Sequence, residues 1–442
     1  MLFTKQELKK MIVPMFVENV LSVTVGMADT VMVARAGEAA VSGVSLVDSV
    51  NLLILYFIGA LSSGGAILIA QAIGAKNERV IKDAQKQLFW ISVIISSIIS
   101  LIIVISHRPL LRLIFGSISA EIMANAQIYF LITALSLPFL AIRNAVGAAY
   151  RSFGITKVSM NISLLTNVIN VGGNALLIFG FGMGAAGAAT STLFARFIGA
   201  VLSVVLVLDK KRPVYIEKLF HYRPDGKLIK RILQIGLPSA FENSVFQLGK
   251  VMTQSLVSTF GTVAIAANAT ANTLTSMLYV PGTTMSGAIT TVVGRCVGAD
   301  EPKQAKKYAR NLVGLAYLFI ITMALVMWLL SKQLVGLFNL SAESQPLAIN
   351  LVLFHNAFVC TVWPIAFTLP NAFRAASDVN FTMILSIVSM WLFRVGGSFF
   401  FAKTLEFGIY GVWMGMACDW VFRAAVFGIR YLRGTWLTKY KK

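Results

Sequence analysis

Residues 14–33 read PMFVENVLSVTVGMADTVMV, an apolar stretch that contains two carboxylates, Glu18 and Asp29. A helix of about 20 residues is about 30 Å long, which is the thickness of the hydrocarbon core of a bilayer. A charged side chain at the middle of a bilayer costs at least ~2.5 kcal/mol, so it needs a partner or a function there. The stretch therefore predicts a transmembrane helix whose carboxylates face the interior of the protein.

The rest of the 442-residue chain has the same character. It is 57% hydrophobic and 13% charged, with a mean hydropathy of +0.78. Apolar runs of spanning length recur from end to end. We predict an all-α integral membrane protein with twelve transmembrane helices, at 11–34, 41–72, 88–106, 121–147, 158–180, 185–208, 232–259, 263–298, 311–330, 346–373, 381–402 and 408–431.

The positive charge follows the predicted loops. The net charge is +20, and on one side of the membrane the loops contain only Arg35, Arg108, Arg112, Lys332 and Lys403. The other loop lysines and arginines share a side with both termini, which predicts cytoplasmic termini and contact with anionic lipid headgroups. Nucleic acid is not needed to explain the charge. The compact loops indicate a bacterial inner (plasma) membrane.

The second half of the chain repeats the first at an offset of 224 residues. Pro14, Glu18 and Asn19 fall on Pro238, Glu242 and Asn243, and Asn170 falls on Arg394, each followed by Val-Gly-Gly. Six spans bring the chain back to the same side, so the repeats are parallel. We predict two six-helix lobes, 1–208 and 232–442, joined by a cytoplasmic linker, 209–231. Two such lobes would leave a central cleft suited to alternating access.

Several polar residues inside the spans are candidate site residues. Glu18 and Asp29 are eleven residues apart, within ~20° of one helix face and about 16 Å apart along the axis. A buried carboxylate can exchange a proton or hold Na⁺. Asn170 and Asn174 share a face of the fifth span, as interhelical contacts or as part of an ion site. Asp29 has Thr253 as its repeat mate.

Six basic residues also fall inside the spans. Lys250 and Arg394 are placed deep, and pairing of either with Glu242 is left open. Arg295 and Arg423 lie near predicted ends and are expected to extend to the interface. With Glu18, Asn19 and Asn243, these deep basic residues and Glu242 form the candidate cleft residues.

Nothing in the sequence indicates an enzyme. The three cysteines and three histidines are scattered without the spacing of metal ligands, so no metal site is expected. The G-x-x-x-x-G-K-[ST], G-x-S-x-G and H-E-x-x-H motifs are missing. We therefore expect no catalytic residues and no cofactor, and energy for transport would come from an ion gradient.

The chain resembles the multidrug and toxic compound extrusion (MATE) transporters. The resemblance covers nearly the whole chain and is carried by GMADTVMV (26–33), RSFGITK (151–157), NVGGNALLIFGFGMGAAGAA (170–189) and LPNAFRAASD (369–378). It implies an antiporter that exports organic, often cationic, compounds in exchange for H⁺ or Na⁺. The expected partners are small organic substrates and membrane lipids, and the chain is expected to be a monomer.

The resemblance also implies roles for particular residues. Asp29 matches the ion site of the first span, and Thr192 matches a polar site position in the sixth. Asn170 and Asn174 match an Asn-x-x-x-Asp motif, so the second carboxylate is missing here. Glu242 matches a carboxylate of a second-lobe site, whose aspartate in span ten is also missing. A neutral Asn174 favours H⁺ over Na⁺ slightly.

Two other functions are compatible with parts of the pattern. A flippase for a lipid-linked or amphiphilic intermediate would use a cationic cleft, which Lys250, Arg394 and Arg143 could supply. A receptor or scaffold that transports nothing would not explain the paired Pro-x-x-x-Glu-Asn motifs. Cation-coupled export explains the most features.

Overall fold

A computed structural model describes residues 2–116, 118–338 and 340–441. The predicted lobe limits at Met1 and Lys442 lie outside the described residues. Within the described ranges the chain is helical apart from short turns and the irregular stretch 209–225, and it contains no β-strand. The predicted all-α fold is confirmed.

The first six predicted spans all coincide with helices. Residues 121–147 form two helices that meet at a bend of 44° near Ser136, and α6 continues into the π-helical turn Ala175–Gly180. The helices are α1 Lys5–Ala34, α2 Glu38–Gly74, α3 Glu78–Phe115, α4 Ala120–Leu135, α5 Leu137–Ser152, α6 Thr156–Asn174 and α7 Gly184–Leu208.

The last six predicted spans are helical as well. The chain bends by 60° where α13 passes into the π-helical turn Pro364–Thr368 and α14, and α15 continues through π-helical turns at Met390–Gly396 and Phe400–Thr404. The helices are α8 Gly226–Ser258, α9 Gly261–Ser276, α10 Val280–Gly298, α11 Pro302–Leu329, α12 Ser331–Gly336, α13 Ser344–Thr361, α14 Pro370–Ala375, α15 Val379–Ser389, α16 Gly397–Phe399 and α17 Gly408–Arg433.

The chain divides into two compact units. One is Thr4–Ala240, and the other is Phe241–Lys442 together with Met1–Phe3. The predicted linker 209–231 and the first half of α8 pack within the first unit, where Gly236 lies against the backbone of Leu61 in α2. We call the two units the N-terminal unit and the C-terminal unit.

The apolar helices match the predicted membrane character. Among the described residues, eight helices are long and apolar enough to cross a membrane, or ten if each bent pair is one span. The remaining two predicted spans correspond to α8 and to α9–α10, which are helical but more polar. Such polar stretches have to face protein or water rather than lipid.

The internal repeat is visible in the backbone. Residues with left-handed φ values recur at the offset of 224 in pairs with closely similar angles: Lys76 and Asp300 (both 54°), Gly182 and Glu406 (65° and 58°), and Gly184 and Gly408 (53° and 55°). Because a positive φ is uncommon for residues other than glycine, its recurrence at matching turns confirms the predicted repeat.

Close helix contact in the C-terminal unit depends on Gly411 in α17. A Cβ atom at Gly411 would lie 2.4 Å from the backbone nitrogen of Ala402 and 2.5 Å from its Cα. Backbone atoms cannot move aside at low cost, so we expect Gly411→Ala to destabilise the protein by about 2 kcal/mol. The measurement is the midpoint of thermal unfolding in detergent.

Gly314 in α11 provides the matched control. No atom lies within 4 Å of the position that a Cβ would take there. Gly314→Ala should be neutral or stabilising by about 0.5–1 kcal/mol, since alanine favours the helix. Equal midpoints for the two variants would contradict the packing argument.

Candidate functional site

The carboxylate of Asp29 on α1 is held by two amides of α6. Asn174 donates a hydrogen bond from Nδ2 to Asp29 Oδ1 at 2.7 Å. The amide of Asn170 fits its surroundings in the orientation where its nitrogen donates to Oδ1 and Oδ2 of Asp29, at 2.9 and 3.1 Å. Its oxygen then accepts from the hydroxyl of Thr192 on α7 at 3.2 Å. The four predicted ion-site residues therefore form one cluster.

The cluster borders a cavity of about 340 Å³ in the N-terminal unit. Asp48 on α2 contributes a second carboxylate, which accepts a hydrogen bond from the hydroxyl of Tyr129 at 3.1 Å. Arg196 on α7 is the one cation among the lining residues. The cavity is lined by Gly26, Asp29, Thr30, Val33, Val41, Val44, Ser45, Asp48, Asn51, Leu52, Leu55, Tyr129, Asn174, Ala188, Thr192 and Arg196.

The C-terminal unit contains a cavity of its own, of about 410 Å³. Two cations, Lys250 on α8 and Arg394 in the π-helical turn after α15, are among its lining residues, and no carboxylate is. The cavity is lined by Lys250, Thr253, Gln254, Val257, Asn268, Asn272, Ser276, Tyr279, Arg394, Val412, Trp413 and Met416.

Comparison with known proteins decides the family. The MatE family profile matches the chain twice, at residues 14–176 and 238–400, which are one repeat offset apart. The chain belongs to the MatE family. The "Probable multidrug resistance protein NorM" of Thermotoga maritima is 30% identical over 98% of this chain and 93% of its own length.

Solved structures of MATE transporters share the fold. "Crystal structure of MATE in the bent conformation" describes a chain that aligns with a TM-score of 0.90 at 20% identity, covering 98% of this chain and 96% of the other. An outward-facing multidrug resistance MATE family transporter aligns with a TM-score of 0.92 at 21% identity, covering 98% and 96%. By its family match and its NorM relative, the chain is a multi-pass membrane transporter of the multidrug efflux family, not an enzyme, and its substrates are small molecules.

The two repeat-related glutamates lie outside both cavities. Glu18 accepts hydrogen bonds from the hydroxyl of Ser159 at 2.9 and 3.1 Å, and Arg151 lies 4.0 Å away. Glu242 pairs with Arg374 at 2.7 Å. Each glutamate therefore contacts the arginine of a turn motif in its own unit.

The remaining predicted cleft residues are placed in different surroundings. Asn19 and Asn243 are half-buried next to these glutamates. The open question of a pairing partner for Glu242 is answered by Arg374, and not by Lys250 or Arg394. Both of these basic residues instead line the C-terminal cavity.

One prediction about the buried arginines was wrong. Arg423 does not extend to the interface, because its guanidinium bonds Asp419 at 2.7 Å and only 3% of its side chain is exposed. Arg394 lies 3.7 Å from the other oxygen of the same carboxylate. Asp419 is fully buried and also accepts a hydrogen bond from Ser389. Burial of Arg423 is therefore offset by a carboxylate one helical turn before it.

Sequence reasoning missed Asp48, which lines the first cavity, and Asp419, the counter-ion of Arg423 and Arg394. Both lie inside predicted spans, at 41–72 and 408–431, and a carboxylate inside a span is itself a signal of function or pairing. Applied to every span, that signal would have identified both. It would not have identified Tyr129, whose role depends on its contact with Asp48.

Proposed function

We propose that this MatE transporter exports organic compounds in exchange for H⁺ or Na⁺, with Asp29 as the coupling carboxylate. The observation that carries the proposal is the cluster of Asp29, Asn170, Asn174 and Thr192 beside a cavity with a second carboxylate, Asp48. An intramembrane carboxylate on a cavity wall is an established means of binding a proton or a cation.

The cluster offers a way to couple ion binding to structure. The ionised carboxylate of Asp29 accepts three amide hydrogen bonds, all from α6. Protonation removes the negative charge that strengthens these amide hydrogen bonds, so the arrival of a proton weakens the connection between α1 and α6. Na⁺ could instead be bound by Asp29 together with Asn174 Oδ1, a buried oxygen without a hydrogen-bond partner in the described residues.

The proposed transport cycle is alternating access by rocking of the two lobes, with both termini cytoplasmic. The parallel repeat supports this mechanism, because two similar helix bundles can move as bodies in alternating access. The excess of basic residues in the loops on the side of the termini supports the orientation. We further propose that the protein acts as a monomer in the plasma membrane of a bacterium.

Everted membrane vesicles test the coupling directly. We expect them to accumulate a fluorescent organic cation when a proton gradient is imposed. For a one-to-one exchange, a gradient of one pH unit supports an inside-to-outside concentration ratio of the dye of up to about tenfold. The measurement is dye uptake before and after a protonophore collapses the gradient. Vesicles without the protein provide the control.

The same vesicles distinguish the coupling ions. Uptake driven by Na⁺ with the pH gradient collapsed would identify Na⁺ as the coupling ion. If neither gradient drives uptake while the protein is folded in the membrane, ion-coupled export is wrong, and flipping of lipid-linked substrates becomes the function to test.

A further inference from the structure

The two cavities are built from the same positions of the repeat. Ten of the twelve residues that line the C-terminal cavity lie 224 positions after a residue that lines the N-terminal cavity. Some apolar positions keep their residue type: Val33 in the first cavity corresponds to Val257 in the second. The charged positions do not, so the two units present different chemistry on one framework.

The carboxylates of the first cavity are replaced in the second. Asp29 corresponds to Thr253, and Asp48 corresponds to Asn272. Both replacements are neutral and of similar size. The C-terminal cavity therefore loses the two negative charges that make the N-terminal cavity suitable for a cation.

Two positive charges appear at other matched positions. Gly26, in the first cavity, corresponds to Lys250. Arg394 corresponds to Asn170, which bonds Asp29 but is not among the residues that line the first cavity. One of the two residues that bond the Asp29 carboxylate thus corresponds to a guanidinium in the other unit. Since only Arg196 opposes the two carboxylates of the first cavity, the lining charge changes from negative to positive.

Nearby carboxylates do not neutralise the second cavity. Asp419 is the one carboxylate within ion-pair distance of Arg394 or Arg423 in the described residues, and its closer partner is Arg423. Asp419 Oδ2, which faces Arg394, forms no hydrogen bond within the described ranges. Lys250 has neither an ion pair nor a hydrogen bond from its ammonium group to any described residue. Arg394 and Lys250 therefore retain donors for a ligand.

We propose that the C-terminal cavity binds the carboxylate of the transported compound, so that substrates include organic anions and zwitterions. This inference rests on the proposed export function for its physiological meaning. Arginine and lysine are the side chains that bind carboxylates most strongly. The volume of about 410 Å³ is in the range of small-molecule sites, and Trp413 and Tyr279 add aromatic surface for the organic part.

Equilibrium binding to the purified full-length protein tests the inference without any gradient. The probe is dansylglycine, a fluorescent carboxylate, with its neutral amide as the matched ligand, and the protein is held in phosphatidylcholine nanodiscs. We expect dansylglycine to bind at least about tenfold more tightly than its amide, and Lys250→Gln to remove most of that preference. Arg394→Gln should remove the rest.

Matched variants separate charge at the site from charge in general. Lys332→Gln removes an exposed lysine of α12 in the same unit and should leave dansylglycine binding unchanged. Lys250→Arg keeps the positive charge and should retain the binding that Lys250→Gln loses. Lys250 takes part in no ion pair in the described residues, so Lys250→Gln tests the site even if Arg394→Gln fails to fold. Equal binding of probe and amide, or no effect of Lys250→Gln, would overturn the proposal.

An anionic lipid headgroup offers the same oxyanion chemistry. Nanodiscs that contain phosphatidylglycerol distinguish the two sources, because a soluble carboxylate should still bind there in a Lys250-dependent way. Displacement of dansylglycine by phosphatidylglycerol, with no displacement by excess unlabelled carboxylate, would assign the cavity to lipid and overturn the substrate proposal. If dansylglycine binds as expected but no gradient drives export, the anion site is supported and only the proposed export function is refuted.

Discussion

Replacing Asp29 with asparagine will reduce gradient-driven export to the level of vesicles that lack the protein. Asparagine has nearly the same shape but cannot take up a proton at physiological pH, and it provides no negative charge for Na⁺. Its NH₂ group would also face the donors of Asn170 and Asn174, which now bond to the carboxylate. The measurement is uphill uptake of a fluorescent cation by everted vesicles under the gradient that drives the unaltered protein.

Two controls show whether the loss is specific to coupling. Asp83→Asn removes an exposed carboxylate from α3 and should retain full uptake. Asp29→Asn should still bind the dye at equilibrium, because the carboxylate is proposed to couple ion flow rather than to hold the folded state. Uphill uptake at the normal rate by Asp29→Asn would refute the role of Asp29.

The largest effect on stability is expected from Asp419→Asn. The substitution leaves Arg394 and Arg423 in the interior of the C-terminal unit without a negative counter-charge. Breaking a buried ion pair by removing one partner costs about 3–5 kcal/mol. We expect a clearly lower midpoint of thermal unfolding in detergent, while Asp83→Asn should leave the midpoint unchanged.

A double substitution shows whether the loss of stability in Asp419→Asn comes from the broken ion pair. Asp419→Asn combined with Arg423→Met removes both charges of the closer pair, so it should be less destabilising than the sum of the two single changes. Additive effects of the single changes would show that Asp419 and Arg423 are not energetically coupled, contrary to their 2.7 Å contact.

Hydropathy was sufficient to predict the helical segments. All twelve predicted spans fall on helices, because an apolar run of spanning length has few alternatives in lipid. The bends near Ser136 and at Pro364 were not predicted. Proline at 364 is a signal for a bend, but its angle of 60° depends on packing.

Site residues could be predicted where a polar side chain lies in an apolar run, because such a residue is energetically costly in a membrane. Asp29, Asn170 and Asn174 stood out as polar residues in apolar runs, and the resemblance grouped them with Thr192. The position of the Arg423 side chain was predicted wrongly, because the prediction considered only that Arg423 lies near the end of a span. It did not take into account Asp419, one helical turn earlier. The contrast between the two cavities needed coordinates, since hydropathy does not show which residues of a span line a cavity.

The π-helical turn Ala175–Gly180 places a constraint on chain length as well as on residue type. A π turn is an α-helix with one residue inserted, and each residue turns an α-helix by about 100°. Deleting a single residue from this turn would leave a regular helix with nearly the same composition, yet it would rotate Asn174 relative to the residues that follow. Part of the information that directs the amides toward Asp29 is therefore a count of residues rather than the identity of any one of them.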